Sequence, residues 1–203
     1  MACCNLADSF ENSASVTVGY SDAVTGARQI RILGLSGVYT QMLDENRPAM
    51  RGIAAPFELS YVPGQWLESI QVSKGLSTVV NGVESITGQI NTEYRKPTDE
   101  KPLFVNLYAM NDTKTDVNIA SSLQMGDSWS TVILGHISGN LKTFDHNHDS
   151  FRDDPQMLQF NFANRWLYYS PTGIQLRFGI RALQDSLSDR RTPSSQYGWV
   201  IPS

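Results

Sequence analysis

The sequence predicts an α+β module over residues 1–97, followed over residues 98–203 by an antiparallel β-meander that is part of a transmembrane β-barrel. Three observations predict this. The first half consists of short alternating runs broken by Gly and Pro, whereas the second consists of strands of roughly 10–13 residues with period-two alternation. That length exceeds the ~5–6 residues usual in globular sheets and suits a tilted strand crossing a bilayer, which needs about 9–11. Turns between these strands alternate short and long, as they do in membrane barrels.

In the first half, Leu6 and Phe10 stand four apart, one face of a short helix. Ala14–Ser21 reads as a short strand, and Ile30 and Ile32 alternate before a glycine-rich turn. Residues 39–48 read as a strand and a bend at Glu45-Asn46, where Asn tolerates positive φ. Pro63 opens one helical turn. A strand follows in which Ile70 and Val72 alternate with Ser69, Gln71 and Ser73. Ile90, Thr92 and Tyr94 then share one face of the next, opposite Gln89, Asn91, Glu93 and Arg95.

In the second half, Val117, Ile119, Leu123 and Met125 oppose Asp116, Asn118, Ser122 and Gln124. A tight turn at Gly126 leads into the strand Trp129–Asn140, where Val132 and Leu134 break the alternation. Leu141–Pro155 is a long polar loop. Leu158, Phe160, Phe162, Trp166 and Tyr168 oppose Gln159, Asn161 and Arg165; Ile174, Leu176, Phe178, Ile180 and Ala182 oppose Gln175, Arg177 and Arg181. Trp129, Trp166, Tyr168 and Tyr169 gather near the short turns, where an interfacial aromatic girdle would lie. The polar rows are candidates for a wet lumen wall and the apolar rows for a lipid face. Periodicity fits a soluble β-rich ligand-binding module equally, with the apolar face on a dry core. About five strands cannot close a wet barrel, so on the membrane reading the chain stops mid-barrel.

Composition and motifs narrow the function classes. A net charge of −4 gives no footprint for nucleic acid. No apolar run is long enough for a membrane-spanning helix. Cys3 and Cys4 are adjacent, too constrained for an ordinary disulfide and without metal-site spacing, and read as small apolar residues of a short helix. No Ser–His–Asp signature, zinc spacing or phosphate loop argues for an enzyme, and no cofactor is expected. Within the polar loop, His146 and His148 with Asp145 and Asp149 form a weak candidate for a transition metal beside the plainer reading of a solvated loop. His136 reads as a lumen or core histidine.

The segments RILGLSGVYTQMLDENRP (residues 31–48) and PGQWLESIQVSKGLSTVVNGVESITGQIN (residues 63–91) carry a resemblance. The first is similar to the strand–glycine–strand motif, and the second to the Lys-Gly and double-glycine series, of the plug domain of TonB-dependent outer-membrane receptors in the style of their Bacteroidetes members. Residues 3–30 resemble the opening segment of the same module. Leu33 stands where that family has Arg, Glu45-Asn46 where it has Asp-Gly, Leu76 where Pro often follows Lys-Gly, and Thr87 in place of a Gly.

The resemblance implies a receptor/transporter of the Gram-negative outer membrane. It takes up a scarce solute (a metal chelate, vitamin, glycan or peptide) through a plugged barrel, driven by an inner-membrane TonB complex whose contact segment lies upstream. Outer-membrane lipid and a surface lipoprotein are further implied partners. The resemblance places ligand contacts in the apex loops Gly34–Tyr39 and Arg51–Tyr61, at Tyr39, Arg51, Phe57 and Tyr61, and gives Lys74 one half of a plug–barrel ionic latch. Gly75, Gly82 and Gly88 would let the packed chain bend and approach other backbone closely.

Overall fold

The computed structural model describes residues 6–10, 16–20, 28–35, 37–49, 58–76, 85–98, 101–109, 114–140 and 156–188. Its leading module begins with a one-turn helix α1 (Leu6–Ser9), an antiparallel pair β1 (Val16–Tyr20) and β2 (Arg28–Ile32), and a 3-10 turn at Gly37–Tyr39. There follow β3 (Thr40–Asp44), β4 (Arg47–Pro48), α2 (Glu58–Tyr61), a second 3-10 turn (Gly64–Trp66), β5 (Leu67–Lys74) and β6 (Gly88–Tyr94). The last four strands form one mixed sheet in the order β4-β3-β6-β5, with β3 and β6 parallel.

Local chemistry explains these elements. β3 and β4 are joined by the two-residue turn Glu45-Asn46, with both residues at positive φ (49° and 64°), as a type I′ hairpin requires. The Asn46 amide donates to Asn91 Oδ1 (2.8 Å) and the Glu45 amide to the Thr92 carbonyl (2.9 Å), which locks the turn onto β6. Pro63 precedes the second 3-10 turn, whose Trp66 amide closes on the Pro63 carbonyl at 3.1 Å. Gly75 has φ 91°, a conformation costly for any residue with a Cβ. Gly88 serves a different need: a Cβ there would lie 2.3 Å from the Ser73 carbonyl oxygen, so β5 and β6 can pair at this point only around glycine. Gly82 lies outside the described residues. The helical turn α2 falls inside a segment whose pattern suggests only loop.

From residue 104 the chain becomes a five-stranded antiparallel meander, β7 (Phe104–Ala109), β8 (Thr115–Met125), β9 (Trp129–Asn140), β10 (Gln156–Tyr169) and β11 (Gln175–Ser188), each paired with its neighbour in sequence. Strand lengths of 11 to 14 residues from β8 onward match the expected barrel length. Register sorts the side chains cleanly. Val117 faces Ile137, Ile137 faces Phe160, and Trp166 faces Phe178, all on one face. That face is bare: Leu107, Ile119, Leu123, Ile133, Ile137, Phe160, Phe178 and Ile180 are all exposed. At its short-turn end Trp129 packs on Tyr168 (4.7 Å between centroids), Trp166 and Phe178 in an aromatic cluster. No described helix is long and apolar enough to cross a membrane.

The apolar rows therefore do not close on one another as a dry sandwich. The leading module lies instead against the opposite, mostly polar face. One core cluster joins Leu6, Phe10, Ile30, Ile32, Leu59, Val62, Trp66, Ile90 and Tyr94 of the module to Ala120, Val132, Leu134 and Ala163 of the strand wall. The break in alternation at Val132 and Leu134 thus has a cause: these inward residues complete the module's core, and both are fully buried.

Candidate functional site: the seam between module and strand wall

The seam is organised by two arginines of the wall. Arg165 of β10 and Arg181 of β11 both point inward, two places apart in register across Ala163 and Gly179. Arg165 pairs with Glu45 at the tip of the β3–β4 hairpin, donates to the Arg95 carbonyl (2.8 Å) and lies over the Tyr94 ring. Arg181 donates to the Tyr94 hydroxyl oxygen (2.8 Å) and the Tyr61 carbonyl (2.9 Å), stands 4.0 Å from the Asp44 carboxylate and lies over Trp66 and Tyr94. Gln159 of β10 adds a hydrogen bond to the Ser60 carbonyl (3.2 Å).

Each local feature serves this geometry. The left-handed backbone at Glu45 is uncommon for a residue with a side chain and costs of order 1 kcal/mol or more. It aims the carboxylate at Arg165. Gly179 sits opposite Arg165 on the same face. A Cβ there would come within 2.7 Å of the Asn164 carbonyl and 3.3 Å of Arg165 Cα, so glycine keeps the wall open beside the guanidinium.

The titratable groups of the module respond to the same packing. Burial pushes the Asp44 carboxyl up to about 6 against the pull of Arg181, with Glu45 adding to the rise. Burial also holds the Tyr94 phenol well above its ordinary value, so it stays protonated while accepting from Arg181. The Tyr61 phenol is raised by burial and by its hydrogen bond with the Asp185 carboxylate of the wall.

This chemistry is adhesive rather than reactive. Among the described residues, no group of three or more His, Cys, Asp or Glu side chains could hold a metal ion. Charge-assisted hydrogen bonds instead join two bodies, together with a modest apolar contact.

The residues singled out by sequence fall unevenly around the seam. Tyr61 takes part through its carbonyl and its phenol. Tyr39 closes the first 3-10 turn, exposed, with its carbonyl accepting from the Ile86 and Thr87 amides. Lys74 ends β5 beside Gly88, exposed, and forms no ion pair among the described residues. Arg51, Phe57, His146 and His148 lie outside the described residues, as do Cys3 and Cys4. Of the expected lumen wall, Arg165, Arg181 and Gln159 reach the module, Asn161 is fully buried, and Arg177 is exposed. Asp44 and Glu45 were not singled out by sequence as site residues. A departure from an expected Asp-Gly turn, with inward arginines elsewhere, was the available signal. His136 is a buried wall residue, its Nδ1 2.7 Å from Asn118 Oδ1.

Comparison with known proteins places this architecture. Residues 4–89 match the TonB-dependent receptor plug domain. No curated protein matches the sequence. Among solved structures, the chain is similar to the pyoverdine outer membrane receptor FpvA of Pseudomonas aeruginosa PAO1 (16% identity, TM-score 0.70, covering 90% of this chain and 25% of that one). It is also similar to the copper transporter OprC (14%, 0.73, 92% and 29%), and to the FrpB iron transporter of Neisseria meningitidis (12%, 0.66, 91% and 29%). At such identities the likeness is one of fold, and the chain spans between a quarter and a third of these structures' length. Residues 4–89 are thus similar to the TonB-dependent receptor plug domain, and the strand meander that follows shares the fold of the corresponding strands in these solved structures.

Proposed function

We propose that this chain is the plug (residues 1–97) and the first strands (residues 98–203) of an energy-coupled importer in the outer membrane of a Gram-negative bacterium. The plug blocks the lumen and is held to the wall by the Arg165 and Arg181 contacts. Pulling by an inner-membrane TonB complex breaks those contacts and opens a path for a scarce solute bound from outside. Nothing in the step requires bond chemistry in this chain. The solute class is a metal chelate, vitamin, glycan or peptide, met at the plug apex through residues such as Tyr39, Arg51, Phe57 and Tyr61. Lys74 would add a second ionic tether to wall strands beyond this chain. The Bacteroidetes-style assignment, and with it a surface lipoprotein partner, rests on the motif wording of residues 2–97.

The observation that carries the reading is the two-faced wall: plug on the polar face, bare aliphatic and aromatic rows on the other. It is tested by tryptophan fluorescence in vesicles of brominated lipid. Trp129, in the aromatic cluster, should be quenched, and Trp66, 1% exposed inside the plug, should not. Equal quenching of both, or of neither, would overturn the membrane placement. Growth of a deletion strain on limiting iron, copper, cobalamin or glycan then identifies the solute class.

A further inference from the structure

The β3–β4 hairpin and the inner face of β10–β11 enclose a groove beside the latch. It comprises two adjoining cavities of about 220 and 300 Å³ that share Glu45, Arg47, Arg165 and Gly179 as lining. The charges on its walls are unbalanced. Arg47, Lys96, Arg165, Arg177 and Arg181 line it, against only Asp44 and Glu45. Three of the five cations have acidic partners: Lys96 is held by Glu68 at 3.4 Å, Arg165 by Glu45, and Arg181 faces Asp44. Arg47 and Arg177 have no carboxylate partner among the described residues; Arg177 donates to Gln175 Oε1 at 3.4 Å. One of this pair belongs to the plug and the other to the wall.

Two guanidinium groups brought to one groove from opposite bodies raise its positive potential, which an anion between them would neutralise. The remaining inward lining includes Pro97, Leu167, Trp66 and Ala163. Apolar walls lower the local dielectric and focus the positive field. Guanidinium forks suit carboxylate and phosphate oxygens in bidentate geometry.

We infer that the groove is a binding site for a small multivalent anion, a di- or tricarboxylate or a phosphate compound, bridged between Arg47 and Arg177. The site lies at the short-turn end of the wall, because Trp166, Leu167 and Arg177 flank the turn at Ser170–Ile174. It is therefore remote from the long-loop end. Arg165 lines the same groove, so a bound anion competes with Glu45 for it. By linkage, anion binding and plug seating oppose each other. The inference requires only the seam and holds whether or not the protein imports a solute.

The test is isothermal titration calorimetry on the protein in detergent micelles at low ionic strength, with citrate and pyrophosphate as probes and sodium chloride at matched ionic strength as control. Saturable binding of at least one probe is expected; the stronger one tells carboxylate from phosphate. R47Q and R177Q should each weaken it at least fivefold, and R47K and R177K less. Both side chains are exposed and neither ties the plug to the wall, so the variants should melt with the parent. No saturable heat from either probe would overturn the inference. So would unchanged affinity in both glutamine variants, or equal binding heat from chloride.

Discussion

Replacing Arg165 with glutamine should release the plug measurably, and the size of the effect follows from the seam. The side chain loses its ion pair with Glu45, its 2.8 Å bond to the Arg95 carbonyl and its place over Tyr94. The Arg165 and Glu45 side chains are 19% and 27% exposed, between a surface pair, worth ~0.2–1 kcal/mol, and a buried one, whose disruption costs ~3–5 kcal/mol. The expected loss is about 2 kcal/mol, or about 30-fold in the docking equilibrium. Ala163, buried where wall meets plug, offers the assay. With Cys3 and Cys4 changed to serine, an A163C thiol is labelled only when the plug lifts, so its labelling rate reports docking. R165Q and E45Q should each accelerate labelling, and the double variant should fall short of their product by about 1 kcal/mol of coupling. If the single effects multiply to within about 0.3 kcal/mol, the two residues do not form a latch and the argument fails.

The remaining predictions use other parts of the structure. The raised Asp44 pKa means that the docked plug holds a proton more tightly than the free carboxyl, whose ordinary value is ~3.9. The stabilisation is therefore complete below about pH 4 and is lost as pH rises through about 6, so A163C labelling, corrected for thiol ionisation, should speed up across that window, and D44N should flatten the change. Gly88→Ala must push β5 off β6, since its Cβ meets a backbone oxygen at 2.3 Å. The plug's thermal transition should fall by several degrees, and an unchanged transition would refute the close approach. Ile137→Lys, on the bare face, should cost roughly 2–4 kcal/mol in folding into vesicles if it lies near the bilayer midplane. The same change should be nearly neutral if that face meets water.

Much of the wall was legible because a strand's period of two reports its faces directly. Val117, Ile119, Phe160 and Phe178 declared one side, and Asn118, Gln159 and Arg181 the other, without knowledge of any partner. Even the irregularity at Val132 and Leu134 was visible, although its cause was not: it lies in the plug core that those residues complete. The plug strands were legible in outline, through Ile30 and Ile32, the Glu45-Asn46 bend and the Pro63 turn. The parallel pairing of β3 with β6 was not, since Met42 and Ile90 meet although 48 positions apart in the chain and no local pattern encodes that.

The latch was hidden for a related reason. Arg165 and Glu45 are 120 positions apart, as are Arg181 and the Tyr61 carbonyl that it bonds. Alternation assigns each arginine to the inner face but cannot say which acid of the plug it meets. Half of the two arginines' four hydrogen bonds to the plug end on backbone carbonyls, which carry no side-chain signature at all. What sequence does expose is tension between local and global demands. A glutamate in a left-handed turn position, where glycine or asparagine would be easier, is locally unfavourable and gains its compensation only from a distant cation. Replacing Glu45 with glycine tests that balance: relief of backbone strain should recover part of the stability lost with the ion pair, so E45G should lower the thermal transition less than E45Q. If E45G lowers it as much or more, the left-handed turn is not where the structure stores its strain, and the choice of glutamate at that tip needs a different physical cause.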